Sequence, residues 1–221
     1  MSYLIRVSLP DTPGSLGELA EAFGMIDADI RSVDIVETTT DGFVTDDIVV
    51  ELPTGTLVDA LITAAGSLDG VEVDSIRPFT GRVDRRGQIE MLARIAQVTH
   101  DVAAAAAELV AVLPQAMTSS WAVVVRETGA GLVRVTGSQA APEDDGSTPT
   151  LVDVTSARIL HPETDTWVPE AWWILDTTLA ISPLTGTDLV LVIGRIGGPD
   201  FLASEVSQIS DLGHIIGAML R

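Results

Sequence analysis

The chain of 221 residues contains no cysteine, no lysine and no asparagine, and all 12 of its basic residues are arginine. Without cysteine there is no thiol nucleophile, no disulfide and no thiolate ligand for a metal. Without lysine there is no Schiff base to pyridoxal phosphate and no phosphate-binding P-loop lysine. Histidine is scarce as well: His100, His161 and His214 lie far apart with no i,i+4 pairing, so a multi-histidine metal site would need distant carboxylates, and no metal or cofactor is expected. Neither G-x-S-x-G nor G-x-x-x-x-G-K-[ST] occurs. The H-x-E of His161-Pro162-Glu163 lacks any P-C-x-x-C partner, which removes zinc deaminase chemistry. Positive charge is short too. With 32 acidic residues the formal net charge is -20, the wrong sign for attraction to DNA, RNA or an anionic membrane. The longest apolar tract, Val102 to Met117, is interrupted by Glu108 and reaches Pro114 near its end, short of the roughly 20 residues that span a bilayer. The opening MSYLIRVSLP alternates and carries Arg6, unlike a secretory leader, and a cytoplasmic protein is expected.

What is present is ample core material, 46% hydrophobic residues, enough for one or two domains. The charge is unevenly spread: -12 over residues 1–79, +2 over 80–86 and -10 over 87–221. The basic stretch Thr80 to Arg86 follows an apparent strand and precedes a long helical pattern. We expect a first domain at 1–79, a linker at 80–86 and a second domain at 87–221, with the linker arginines pairing to flanking acids.

In the first half, Tyr3, Ile5, Val7 and Leu9 alternate as a strand with one buried face, ended by Pro10. After Asp11-Thr12-Pro13-Gly14, Leu16, Leu19, Ala20 and Phe23 form one apolar helical stripe, with Ser15 and Glu18 spaced as a capping box. Ile30 to Glu37 and Val44 to Leu52 read as a hairpin of β-branched strands. Thr54 to Ala65 reads as a helix stopped at Gly66, and Val71 to Ile76 as a fourth strand. The order βαββαβ predicts an α+β, ferredoxin-like unit: a four-stranded antiparallel sheet with both helices on one face. Such an arrangement hosts many unrelated activities.

The loop is more specific. Asp11-Thr12-Pro13-Gly14-Ser15-Leu16, together with Asp27-Ala28-Asp29-Ile30 entering the second strand, resembles the ACT domain, a small regulatory module whose motifs read D-x-P-G-x-L and A-N-I or I-N-I. The resemblance implies an amino acid bound at Asp11, Pro13, Gly14, Ser15, Leu16, Asp29 and Ile30, commonly where two modules meet. A helix start exposes unpaired amides at the positive end of its dipole, so a ligand carboxylate can sit against the amides of Gly14, Ser15 and Leu16. Asp29 stands where the family usually has Asn; it lacks amide donors but can accept from a ligand ammonium group. Pro-Gly before a helix is also ordinary turn chemistry, and many ACT modules only dimerise.

In the second half, Gln88 to Leu113 reads as one helix ended by Pro114, with His100 among its apolar positions as a core histidine. Trp121 to Glu127 and Leu132 to Gly137 read as a strand pair, Ser138 to Thr150 as a polar acidic loop, and Leu151 to Val154, Thr177 to Ser182 and Leu189 to Gly194 as further strands. A closing helix runs to Leu220 with Pro199 at its first position and Phe201 and Glu205 as F-x-x-x-E. The order is similar to that of a GAF domain, a sensory α/β module with an antiparallel sheet; without a cyclic-nucleotide signature or a chromophore cysteine, no ligand is implied. Three of the four tryptophans fall in Trp167 to Trp173, a candidate pocket lining, interface or packing cluster.

The sequence reading is therefore a non-catalytic sensor: an ACT-like module binding an amino acid or related small metabolite, joined to a GAF-like domain, without nucleic-acid or membrane partners. An edge strand in the first sheet points to a homodimer. Two other readings stay open. One is an enzyme using Asp165, Glu170 or Asp176 beside the tryptophans, for which a raised carboxylate pKa in a closed pocket would speak. The other is a structural interaction subunit without a ligand.

Overall fold

The computed structural model describes residues 1–79, 85–147, 149–150 and 154–221, with the side chains of Arg85 and Arg86 left out. The chain divides into two compact units, Met1–Arg82 and Val83–Arg221, each an α+β arrangement built on one antiparallel sheet.

The first unit runs β1 (Ser2–Pro10), α1 (Ser15–Gly24), β2 (Asp29–Thr38), β3 (Phe43–Glu51), α2 (Asp59–Ala65) and β4 (Glu72–Pro78). Its sheet has the order β2-β3-β1-β4. Alternation along β1 puts Ile5, Val7 and Leu9 on one face, where they meet Leu19 and Phe23 of α1, Leu61 and Ala65 of α2, and Val44, Ile48 and Val50 of β3. Both helices thus cover the same face. Truncating a fully buried residue such as Phe23 to alanine would cost about 3–5 kcal/mol. On the opposite face Arg6 meets Asp47 in a bidentate pair, Nε to Oδ1 at 2.7 Å and Nη2 to Oδ2 at 2.8 Å, with both side chains buried.

Two local expectations are corrected here. The second helix begins at Asp59 rather than Thr54, and Leu57, within the expected span, lies before it and is exposed. No Ser15–Glu18 capping box forms. Gly14 is the N-cap of α1, with the Glu18 amide bonded to its carbonyl at 2.9 Å, and the Ser15 hydroxyl instead meets the Thr12 hydroxyl at 2.8 Å. Ser15 sits one residue too far into the helix to cap it.

The second unit runs α3 (Arg85–Gln97), α4 (Val102–Ala116), β5 (Trp121–Thr128), β6 (Gly131–Gly137), β7 (Arg158–Leu160), a 3-10 turn (Glu170–Trp172), β8 (Thr177–Pro183), β9 (Leu189–Ile196) and α5 (Ala203–Met219). The sheet order is β6-β5-β9-β8-β7, which puts β9 at the centre. One sheet face, with Ala122, Val124, Leu191 and Ile193, packs against Ile95 of α3, Leu109 and Leu113 of α4 and Ile209 and Ile216 of α5. The other, with Trp121, Val123, Leu179 and Val192, is covered by Leu160, Val168 and Trp172. Burial on both faces explains why the Leu189–Ile193 stretch of β9 is apolar without alternation.

The expected single helix over 88–113 is two helices. Asp101 accepts from the amides of Ala103 and Ala104 at 3.0 and 3.1 Å and starts α4 afresh, so His100 lies in the break, exposed, and not in the core. Pro114 lies inside the last turn of α4, which continues to Ala116. Pro199 precedes α5 instead of opening it: the Glu205 carboxylate accepts from the Leu202 amide at 2.8 Å and sets the start at Ala203. Of the expected strand at Leu151 to Val154, residues 151–153 lie outside the described residues, and Val154 is not in a strand. The proposed linker overlaps α3, which begins at Arg85; residues 80–84 lie outside the described residues.

Candidate functional site

The β1–α1 loop leaves the sheet beside the β2–β3 turn, held there by the Asp11 amide donating to the Gly42 carbonyl at 2.8 Å. Gly14 has φ +109°, a conformation that favours glycine, and a Cβ built on it meets nothing within 4 Å. The strain a side chain would suffer there is thus backbone strain alone. The Ser15 amide is taken by the Thr12 carbonyl at 3.2 Å, so it is not open to a ligand as the sequence suggests. Among the described residues the Gly14, Leu16 and Gly17 amides meet no acceptor, and all three residues are exposed at the positive end of a ten-residue helix. Asp11 and Pro13 are exposed beside them.

Asp29 and Ile30 are elsewhere. Asp29 opens β2 opposite Glu51, which in turn faces Ser2 at the start of β1, whereas the loop follows Pro10 at that strand's other end. Nine residues of strand separate the two groups, about 26 Å or more at roughly 3.3 Å per residue. One copy of the chain therefore does not bring residues 11–16 together with 29–30. Asp29 also has a cation already: Arg31 lies 3.0 Å away and bridges on to Glu51, raising the Arg31 pKa and lowering that of Glu51.

A carboxylate that the sequence did not single out lies nearer the loop. Asp46 of β3 is 2% exposed on the helix-covered face, paired in register with Val7 and Ile35, and its Oδ1 has no hydrogen-bond partner. Burial pushes its carboxyl above the ordinary range, helped by the negative charges of Asp47 and Asp11. The available signal in the sequence was a charged residue at a core-phase position of a strand, Val44-x-Asp46-x-Ile48.

In the second unit Trp172 is buried and packs edge-on to Trp121, ring centroids 5.9 Å apart. It also lines a groove of about 400 Å³, open mouth included, together with Val125, Leu132, Glu143, Asp144 and Asp145. Of the carboxylates considered for catalysis, Asp165 is fully engaged. It accepts from Arg158 at 2.6 and 2.9 Å, from the His161 amide at 2.9 Å and from Trp167 Nε1 at 3.1 Å. The Arg158 guanidinium holds its carboxyl well below the usual carboxylate range, opposite to the shift a general acid needs. Asp165 is a structural anchor for the β7–β8 connection. Glu170 and Asp176 are exposed, and neither is brought to Asp165 by any contact among the described residues.

No protein-family model matches the chain, and no curated protein sequence matches it. Among solved structures, the chain is similar to a formyltetrahydrofolate deformylase from Pseudomonas putida KT2440, at 8% identity and a TM-score of 0.30 over 44% of this chain and 39% of that one. It is also similar to an unknown protein from Galdieria sulphuraria, at 13% identity and a TM-score of 0.32 over 87% of this chain and 79% of that one. The chain thus spans about two fifths of the deformylase. Likenesses this slight carry no argument about activity. Among the described residues no helix is long and apolar enough to cross a membrane.

Proposed function

We propose that the first unit is an ACT-like module that binds a small amino acid or related metabolite at the start of α1, and that the protein is a non-catalytic sensor or regulatory subunit. The observation that supports this reading is the loop itself: a left-handed Gly14 leads into a helix whose Leu16 and Gly17 amides are exposed and without acceptors, a fitting seat for a carboxylate.

The separation of the loop from Asp29 and Ile30 favours a site shared by two copies. Strand β2 is a sheet edge, and Val33 and Ile35 on it are 37% and 63% exposed. Antiparallel pairing of two such edges about a twofold axis would set residue 29 of one copy opposite residue 38 of the other. That is the end of the sheet from which the loop springs. The second unit, with its sheet between helices and an irregular cover, is read as GAF-like and as the element that senses or transmits.

The test is a thermal-shift screen of the full chain against the standard amino acids, with Gly14→Asp as control. A ligand at about 100 times its dissociation constant should stabilise by roughly 2.7 kcal/mol. Gly14→Asp, which sets a carboxylate against the amides, should abolish the shift while circular dichroism shows a folded protein. No shift with any amino acid leaves the reading without support, and light scattering that finds only monomer at working concentration removes its shared-site form.

A further inference from the structure

We propose that the groove beside Trp172 is a second binding site, one for a small organic cation whose ammonium group sits among Glu143, Asp144 and Asp145 while its apolar body enters against Val125, Leu132 and Trp172. The site lies wholly within the second unit and goes beyond the amino-acid reading of the first.

Three observations carry the assignment. First, one cavity is shared by two chemically different sets of side chains. Val125, Leu132 and Trp172 are buried whereas the three acidic residues are exposed, so apolar surface lies inward and carboxylates toward solvent. At about 400 Å³ with its mouth, the groove falls within the roughly 300–1,000 Å³ range of small-molecule sites.

Second, the loop that carries the acids is tied to β6 on both sides. The Arg134 guanidinium donates to the Pro142 carbonyl at 2.5 Å, and the Leu132 amide donates to the Pro149 carbonyl at 2.9 Å. Within the loop, Asp144 accepts from the Gly146 amide at 3.1 Å and Asp145 from the Ser147 amide at 2.8 Å. Hydrogen bonds from Ser147 hold the Asp145 carboxyl below its ordinary range, which keeps it charged.

Third, the chain does not meet this negative charge with its own. Among the described residues none of the three acids has an ion pair, and the one cationic residue of the lining, Arg134, is engaged by the Pro142 carbonyl. Three carboxylates against one guanidinium leave the lining at -2. Fixed negative charge beside walls of low dielectric raises the local concentration of cations and turns anions away. Exposed carboxylates contribute little by themselves, so the apolar body must supply driving force by leaving water, while the ammonium group sets orientation and charge preference. Charge without a body, or a body without charge, should bind weakly.

Titration calorimetry on the full chain tests the assignment with three probes: phenethylamine, its neutral counterpart phenethyl alcohol, and ethylamine, which has the charge without the ring. We expect phenethylamine to bind about tenfold more tightly than either of the others. The variant Glu143→Gln/Asp144→Asn/Asp145→Asn keeps the acceptor oxygens that hold the loop and removes three charges. It should bring phenethylamine down to the affinity of the alcohol, with circular dichroism unchanged. No saturable binding of phenethylamine overturns the assignment, as does equal binding of phenethyl alcohol or ethylamine, and none of these results calls on a variant. An undiminished preference for the amine in the folded triple variant also overturns it, since the cation then sits elsewhere. No probe carries a carboxylate for the α1 amides, so failure here leaves the amino-acid reading to its own thermal-shift screen.

Discussion

Arg195 and Glu205 close a buried ion pair between the central strand of the second sheet and the first turn of the last helix. The guanidinium is fully buried and stacks 4.1 Å from the centroid of the Phe201 ring, while Glu205 also caps α5 through the Leu202 amide. The F-x-x-x-E spacing visible in the sequence is thus two sides of one arginine's pocket. Further donation to the carbonyls of Thr118 and Pro199 at 3.4 and 3.2 Å leaves the cation well solvated by protein.

Removing one partner strands the other. Arg195→Met is expected to destabilise the second unit by about 3–5 kcal/mol, because Glu205 is left charged and buried. The double variant Arg195→Met/Glu205→Gln should cost less than the sum of the singles. All four tryptophans belong to this unit, so urea unfolding followed by tryptophan fluorescence reads it directly.

Gly194 is the cross-strand partner of Trp121, and a Cβ there would lie 2.1 Å from the indole ring. Gly194→Ala should therefore push Trp121 off its edge contact with Trp172. We expect a loss of about 1–3 kcal/mol and a changed tryptophan emission spectrum in the folded state. A folded-state spectrum identical to that of the unaltered protein would refute the contact.

Asp165 has its pKa lowered chiefly by the hydrogen bond from Arg158. A carboxyl whose folded pKa is depressed contributes stability that is present above its unfolded pKa and lost as the pH falls below it toward the folded value. Asp165→Asn should lower stability at neutral pH by about 1.5–3 kcal/mol, the scale of charged hydrogen bonds, and flatten the acid limb of the curve. Denaturation midpoints by tryptophan fluorescence from neutral pH to strong acid check both.

Asp46 shifts the other way, its carboxyl raised by burial first and by Asp47 and Asp11 after it. Between the ordinary carboxylate range and its raised folded pKa, the folded state holds the proton more tightly, so stability falls as the pH rises through that window. Asp46→Asn is expected to raise the stability of the first unit at neutral pH, with the gain shrinking as the pH falls and the native carboxyl protonates. Hydrogen exchange of the β3 amides measures this unit, which has no tryptophan.

Much of the fold was written locally. The alternation of Tyr3, Ile5, Val7 and Leu9, the stripe of Leu19 and Phe23, and the unbroken apolar run at Leu189–Ile193 each dictate an element and its buried face, because strand and helix periods are set by backbone geometry. The turn at Pro13-Gly14 was legible as well; that Gly14 takes a left-handed φ, which few other residues accept, is seen only in the structure. Helix ends were less legible: Asp101 and Glu205 restart or cap helices through bonds that an apolar stripe does not display.

The absence of lysine left arginine as the only cationic side chain for every acid but those near a histidine. Which arginine meets which acid is a long-range matter. Arg6 reaches Asp47 across 41 residues of sequence, Arg31 pairs with Asp29, Arg158 lowers the pKa of Asp165, and Asp46 keeps a buried Oδ1 without a hydrogen-bond partner. Sequence determined the periodic elements and the glycine turn because those depend on neighbours along the chain. Tertiary structure decided the state of each charge, because the cost of a charge depends on what the fold packs against it and on how far that removes it from water.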